Sequence, residues 1–365
     1  MIPGKPISGS RIEQSIKDEA GRLGFVLAGF TTPEAPPHFS VFEQWLMQGR
    51  HASMHYLAND LSRSRRADPR LVMPECRSIL MLAVPYTNPN SLPILAADAR
   101  SRPPTGRVAS YAWGADYHLV LPERLAATVA FIERQVGHAV SSRVYTDTGP
   151  ILERDLAQRA GLGWIGKNTC LINPRRGSCF LLAEILLDLY LEPDAPFQAD
   201  RCGTCTRCID ACPTACILPD RTLDAGRCIS FLTIELKEGI PTEIRPAIGN
   251  WIFGCDVCQM VCPWNRFAPV EGDAAFRPAH GVRERELTSE IMMSSKEFSQ
   301  RFQQRPLRRA KHAGYRRNTL VALGNHGSPK ALPALDEVAQ DSDPMIRDHA
   351  SWAIDQITRR ARQNE

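Results

Sequence analysis

The sequence predicts a fold in three parts: an α/β domain, a cysteine-rich domain and an all-helical domain. Three observations predict it. Strand-like apolar runs alternate with helical stretches over residues 1–195, the alternation of an α/β sheet. Nine of the twelve cysteines crowd into residues 202–262, eight of them in ferredoxin-like spacing. From residue 282 onward the chain reads as helices built from two similar units.

Residues 11–30 predict a helix followed by the strand "FVLAGF". "SILMLAVPY" (78–86) is a second strand, "SRVYT" (142–146) a third, and "CFLLAEILLDLYL" (179–191) supplies one or two more. That last run carries Glu184 and Asp188 and is shorter than the roughly 20 apolar residues a bilayer span needs. Residues 116–136 predict a helix. So does "PILERDLAQRA" (150–160), with Pro150 as its first residue and Ile151, Leu152, Leu156 and Ala160 at helical spacing. "GLGWIG" (161–166) matches a dinucleotide fingerprint, but that motif works only between a strand and a helix start. Here a helix precedes it, so Gly161 reads as that helix's C-cap.

The second part, residues 196–270, opens on "CGTCTRCIDACP", the C-x2-C-x2-C-x3-C-P spacing of bacterial iron–sulfur ferredoxins. Three thiolates so spaced converge on one cubane while the fourth serves another. The partner set is Cys228 with "GCDVCQMVCP". The crossed assignment gives one [4Fe–4S] cluster on Cys202, Cys205, Cys208 and Cys262, and another on Cys212, Cys228, Cys255 and Cys258. Two zinc sites are the alternative, since zinc also takes four thiolates. Cys76, Cys170, Cys179 and Cys216 fall outside the pattern and read as small buried apolar residues. This part is expected to move electrons singly at low potential.

"RFAPVEGDAAFRPAHG" (266–281) reads as a linker. In the third part, residues 282–365, "RRNTLVALGN" resembles "IRDHASWAID" about 30 residues later. Such a repeat is HEAT-like, each helical pair burying its apolar face on the next. Ahead of it, "RFQQRPLRRAKHAGYRRN" (301–318) holds seven basic residues and no acid. It reads either as a solvated helix face or as a contact for a phosphate backbone, with Arg308, Arg309, Arg316 and Arg317 as candidates.

Composition narrows the class. Apolar residues are 43% and charged residues 23%, ordinary for a globular protein, and the net charge is +4. The start of the chain has no apolar run of the signal-peptide kind, so a cytoplasmic location is expected. In a reducing compartment so many cysteines favour metal or redox chemistry over disulfides.

Clusters only carry electrons; a substrate needs a second centre and a proton source. "YTDTGP" (145–150) puts Asp147 on a loop just past a strand, where such folds hold their sites, although Asp147 or Thr148 could equally cap the next helix. "YAWGADYHLV" (111–120) gathers Tyr111, Trp113, Asp116, Tyr117 and His118 as a pocket wall. An aspartic acid working near neutral pH is expected in an apolar pocket.

Taken in order, "YAWGADYH", "YTDTGPILER", "AGLGWIGKNTCLI", "CGTCTRCIDACPT", "RCISFLTIE", "GCDVCQMVCPWN" and "RRNTLVALGN" closely resemble the epoxyqueuosine reductase family, from about residue 10 to about residue 358. The resemblance implies a cobalamin held by the N-terminal domain beside two [4Fe–4S] clusters. It implies a tRNA bearing epoxyqueuosine at the wobble position, reduced to queuosine, and helical repeats that help hold the tRNA. It further implies a monomer supplied by an external low-potential donor of flavodoxin or ferredoxin type. Asp147 falls on the family's catalytic acid, and Arg66, His118, Lys167, Asn168 and Ser230 on positions near cofactor or substrate. The D-x-H-x-x-G signature of other corrinoid proteins is missing, so cobalamin comes from the resemblance alone. Thr146 and Trp113 depart from the family's usual residues. Two other readings use the same features: a corrinoid iron–sulfur reductase of a small molecule, akin to reductive dehalogenases, and a non-catalytic electron-transfer module.

Overall fold

The computed structural model describes residues 9–86, 104–279, 282 and 284–363. In chain order its elements are α1 (Gly9–Arg22), β1 (Leu27–Thr31), α2 (Phe39–Met47), α3 (Asp60–Ala67), β2 (Ser78–Pro85), β3 (Thr105–Val108), α4 (Tyr117–Val136), β4 (Ser142–Tyr145), α5 (Glu153–Arg159), β5 (Trp164–Ile165), β6 (Leu171–Ile172) and β7 (Phe180–Leu187). There follow α6 (Arg207–Asp210), α7 (Ile229–Ile234), α8 (Arg245–Ile248), β8 (Trp251–Phe253), α9 (Val257–Met260), β9 (Glu284–Glu286), α10 (Leu287–Ile291), α11 (Ser295–Arg301), α12 (Lys311–His326), α13 (Leu332–Val338) and α14 (Pro344–Gln363).

The chain divides into two compact units, neither continuous in sequence. The first takes residues 1–88, 117–205 and 263–275; the second takes 89–116, 206–262 and 276–365. By this division the cysteine-rich stretch is shared between the units, and the C-terminal helices fall with most of it.

The first unit is built on a sheet of order β1-β2-β7-β4. Every residue of β2 is buried, as expected of an apolar run covered on both faces. Ile79, Met81 and Ala83 pack against Leu156 and Ala160 around α5, while α1 packs on α4. All three strand pairings are antiparallel. The strand–helix alternation therefore does not mark parallel crossovers here; the helices cover an antiparallel sheet. α5 begins at Glu153, not at Pro150, so residues 150–152 belong to the loop that carries Asp147. Gly161 does end the helix, at φ +81°. Its N–H bonds the Gln158 carbonyl at 3.0 Å and that of Leu162 bonds Ala157 at 3.0 Å, a Schellman closure.

In the second unit β3 pairs parallel with β8 and antiparallel with β9. The two similar sequence units lie on α12 and α14, which pack on each other, with α13 against α14. Leu320, Leu323, Ala350, Ala353 and Ile357 lie in their shared core. α12 is buried over most of its length because neighbours surround it. Of the 266–281 linker, His280 and Gly281 lie outside the described residues. Among the described residues, no helix is long and apolar enough to cross a membrane.

Candidate active site and cysteine cluster

Asp147 stands two residues beyond β4. Thr146 is buried and its hydroxyl donates to the Leu182 carbonyl at 2.8 Å, fastening the loop to β7. Thr148 N–H then bonds the Thr146 carbonyl at 2.7 Å, closing a γ-turn with Asp147 at its centre and φ +62°. That turn is rare and strained for a residue with a Cβ. The Asp147 N–H donates to Glu153 Oε1 at 2.6 Å. Glu153, in the first turn of α5, thus ties the strained residue to the helix behind it; Asp147 does not cap that helix.

The Asp147 carboxylate points away from this anchor. Its Oδ2 accepts from the Tyr117 hydroxyl at 2.8 Å and lies 3.8 Å from His118 Nε2. The Tyr117 and His118 rings are 4.1 Å apart at the start of α4. The side chain of Asp147 is 67% exposed, so the apolar pocket expected of it is not there. The buried carboxyls are its neighbours. Glu184 on β7 is fully buried, and neither carboxyl oxygen has a hydrogen-bond partner of good geometry. Burial, then the charge of Glu153, push its pKa well above the usual range. Burial, then the charge of Asp147, push Glu153 up to about 7. Two carboxyls so placed cannot both ionise cheaply, and Glu184 is the one kept protonated.

Arg66 is buried on α3, its guanidinium donating to Ser62 Oγ and standing 5.9 Å from the Phe42 ring centre. Burial lowers its pKa, and the nearby Tyr56 and Glu153 oppose that. Asn168 is buried; its Oδ1 accepts from Cys170 N–H at 3.3 Å, while its Nδ2 finds no partner in the protein. Lys167 does something other than expected. Its ammonium donates to the Gly203 and Cys205 carbonyls at 2.7 and 3.0 Å, bracing the loop of the first two cysteines. Trp164 Nε1–H reaches Cys202 Sγ at 3.5 Å. Trp113 is a core residue, its indole N–H bonding the Val108 carbonyl at 2.8 Å.

In the second unit Cys208 and Cys258 lie on the short helices α6 and α9, which pack together. Ser230 is half-buried on α7, two residues past Cys228. Cys212 Sγ is 3.4 Å from Cys216 Sγ and 3.6 Å from Thr214 Oγ1. Cys216 also interacts with Cys228. Cys216 is therefore no isolated core residue but stands among the candidate ligands. Its offset of four residues from Cys212 is the signal the ligand spacing passes over. Among the described residues, no three His, Cys, Asp or Glu side chains close on a point as ligands of a single ion do. Thiolates at the corners of a cubane stand further apart than that.

The basic run is only partly a surface: Arg301, Arg308, Arg309 and Lys311 are exposed, Arg305 and Arg316 are partly buried and Arg317 is buried. Arg317 is fully buried, donating to the Leu232, Leu236 and Glu238 carbonyls. It cannot reach a nucleic acid, and its place among candidate tRNA contacts is withdrawn. Arg316 is largely buried, bonded to Asp341 at 2.7 Å and to the Ile291 carbonyl at 3.0 Å. Arg308 is exposed; Arg309 is exposed but forked onto Glu235 at 2.8 Å.

Two family models match the chain. Residues 201–265 match a 4Fe-4S double cluster binding domain, and residues 66–148 match "Epoxyqueuosine reductase QueG, DUF1730". The epoxyqueuosine reductase of Pseudomonas aeruginosa is 39% identical over 352 residues, covering 96% of this chain and 95% of that protein. That of Escherichia coli is 36% identical over 359 residues, covering 98% and 92%. A solved epoxyqueuosine reductase in complex with an epoxyqueuosine-modified tRNA-Tyr stem loop superposes with TM-score 0.87 at 31% identity, covering 96% of this chain and 91% of that one. A Bacillus subtilis epoxyqueuosine reductase, described with its aspartate-bearing catalytic loop swung out of the active site, superposes with TM-score 0.85 at 31% identity, covering 96% and 91%. With relatives of this identity aligned over nearly all of its length, the chain belongs to the epoxyqueuosine reductase family.

Proposed function

We propose that this chain reduces the epoxide of epoxyqueuosine in a tRNA wobble nucleoside to the alkene of queuosine. Two electrons and two protons enter, and the epoxide oxygen leaves as water. The observation that carries the reading is the placement of Asp147: a carboxyl presented on a strained turn, held from behind by Glu153 and met in front by Tyr117 and His118. The Bacillus subtilis relative has a catalytic loop named for an aspartate, and Asp147 is the candidate here.

Asp147 delivers a proton to the oxygen as the carbon–oxygen bond opens, a contribution of about 10²–10⁴-fold. Tyr117 fixes which carboxyl oxygen faces forward, and His118 restores the proton. The double-cluster match supports [4Fe–4S] clusters on Cys202, Cys205, Cys208 and Cys262, and on Cys212, Cys228, Cys255 and Cys258. In this reading the α/β part, residues 1–195, holds a cobalamin. The orphaned Asn168 amide fits a polar group from outside the protein, and Arg66, His118 and Ser230 are the other contacts. Bound cobalamin supplies a low-potential cobalt centre able to reduce an epoxide carbon. Lys167 serves the cysteine loop. The ferredoxin-like part, residues 196–270, relays electrons from an external flavodoxin- or ferredoxin-type donor in the cytoplasm. The HEAT-like helices, residues 282–365, contribute to tRNA binding through Arg308 and Arg309, the tRNA of the solved relative's complex being the precedent.

Asp147→Asn, assayed by mass spectrometry of nucleosides from epoxyqueuosine-containing tRNA, should lose about 10²–10⁴-fold in turnover. Its iron content and tRNA affinity should match the parent's. Full turnover in that variant would remove Asp147 from the acid's role.

A further inference from the structure

We infer that Cys216 is a non-ligating fifth thiol of the second cluster site, donating an S–H hydrogen bond to the Cys212 sulfur and raising that cluster's reduction potential. The inference rests on the assignment of Cys212, Cys228, Cys255 and Cys258 as ligands.

The backbone brings Cys216 there independently of any cluster. Ala215 N–H bonds the Cys212 carbonyl at 3.0 Å, closing a turn whose last residue, Ala215, has φ +50°. That turn folds Cys216 back over Cys212. The Cys216 carbonyl then accepts from Asp224 N–H at 2.9 Å, and Ile217 bridges to Leu223, fastening it to the segment that leads to Cys228. The side chain is 3% exposed and its sulfur lies 3.4 Å from that of Cys212.

A cubane takes four thiolates, and four cysteines already fill the motif. A ligating Cys212 carries no proton, so within the Cys212–Cys216 pair only Cys216 can donate. Thr214, buried and 3.6 Å from the same sulfur, adds an O–H on another side. Each donor draws electron density from the sulfur. The reduced cluster, one charge more negative, gains more from this than the oxidised one, so the potential rises. An apolar residue of similar size would fill the space without that effect.

The test uses full-length protein purified without oxygen, as parent, Cys216→Ala and Cys216→Ser. Iron and acid-labile sulfide are counted, and both clusters are titrated against redox potential by electron paramagnetic resonance. Both variants should keep the parent's iron. One cluster signal in Cys216→Ala should titrate at a more negative potential, the other staying in place. Cys216→Ser, which restores a donor, should recover part of the shift. Unchanged potentials in Cys216→Ala would overturn the inference. Loss of half the iron in both variants would overturn it differently, making Cys216 a ligand. A parent with iron for a single cluster would instead sink the ligand assignment beneath it.

Discussion

Glu153 joins two tasks that conflict. It must accept the Asp147 N–H, which an ionised carboxylate does best, yet it lies beside the buried Glu184. Its pKa rises from the ordinary 4.5 to about 7, so the folded protein keeps a proton the unfolded chain surrenders from about pH 4.5 upward. Stability should therefore be full at low pH and fall as pH rises through that window, by ~3 kcal/mol at most for Glu153 alone. In thermal melts at about pH 5 and about pH 8, Glu153→Gln should show a smaller drop than the parent, and the double variant with Glu184→Gln a smaller one still. An undiminished drop in the double variant would place the responsible groups elsewhere. The sequence made Asp147 visible as a candidate, because an acid on a loop after a strand is a local pattern. The Glu153–Glu184 pair was not legible. One acid lies in a helix and the other in an apolar strand, and only the fold makes them neighbours. Glu184, a charge in the middle of the apolar run "CFLLAEILLDLYL", was the available hint.

At the scale of elements, α12 and α14 depend on a close approach at Gly324. A Cβ there would stand 2.3 Å from Trp352 Cζ3, with the Ala353 backbone at 3.0 Å behind it. Because the indole cannot retreat freely into a packed core, Gly324→Ala should destabilise by about 1–3 kcal/mol despite alanine's better helix propensity. Urea titration would read it, and a gain in stability would show that the two helices can slide apart. Element identity was widely readable, since periodicity is local: β2, β4, α4 and the Gly161 cap stand close to where the sequence puts them. Strand direction was not. The antiparallel order β1-β2-β7-β4 is set by pairings between residues as far apart as Ser78 and Leu187. The start of α5 was misread because Pro150 suits a helix's first turn equally well as a loop.

At the scale of the molecule, the basic run shows how linear charge deceives. Seven cations within residues 301–318 look like one surface, yet the fold sends Arg317 inward and leaves Arg308 outside. The two should therefore fail differently. Arg308→Ala should fold normally and bind tRNA with a shallower dependence on salt, by roughly one counterion. Arg317→Ala removes the donor to three carbonyls, that of Leu232 buried and those of Leu236 and Glu238 partly so, empties a buried site and should lose about 3 kcal/mol of stability. Filter binding across salt concentrations, paired with thermal melts, separates the cases. A normal melt for Arg317→Ala, or an unaltered salt slope for Arg308→Ala, would contradict the assignment.

Because each unit gathers separated lengths of chain, order of synthesis matters. The first unit's strands have all emerged by Leu187, but the side chain that caps the Ser178 loop, Asn265, and the carboxylate that clamps Arg124, Asp273, come much later. A nascent chain must hold its opening half unfinished while the cysteines leave the ribosome. A fragment cut after residue 205 would lack both Asn265 and Asp273, and with them the pieces that the first unit needs to settle.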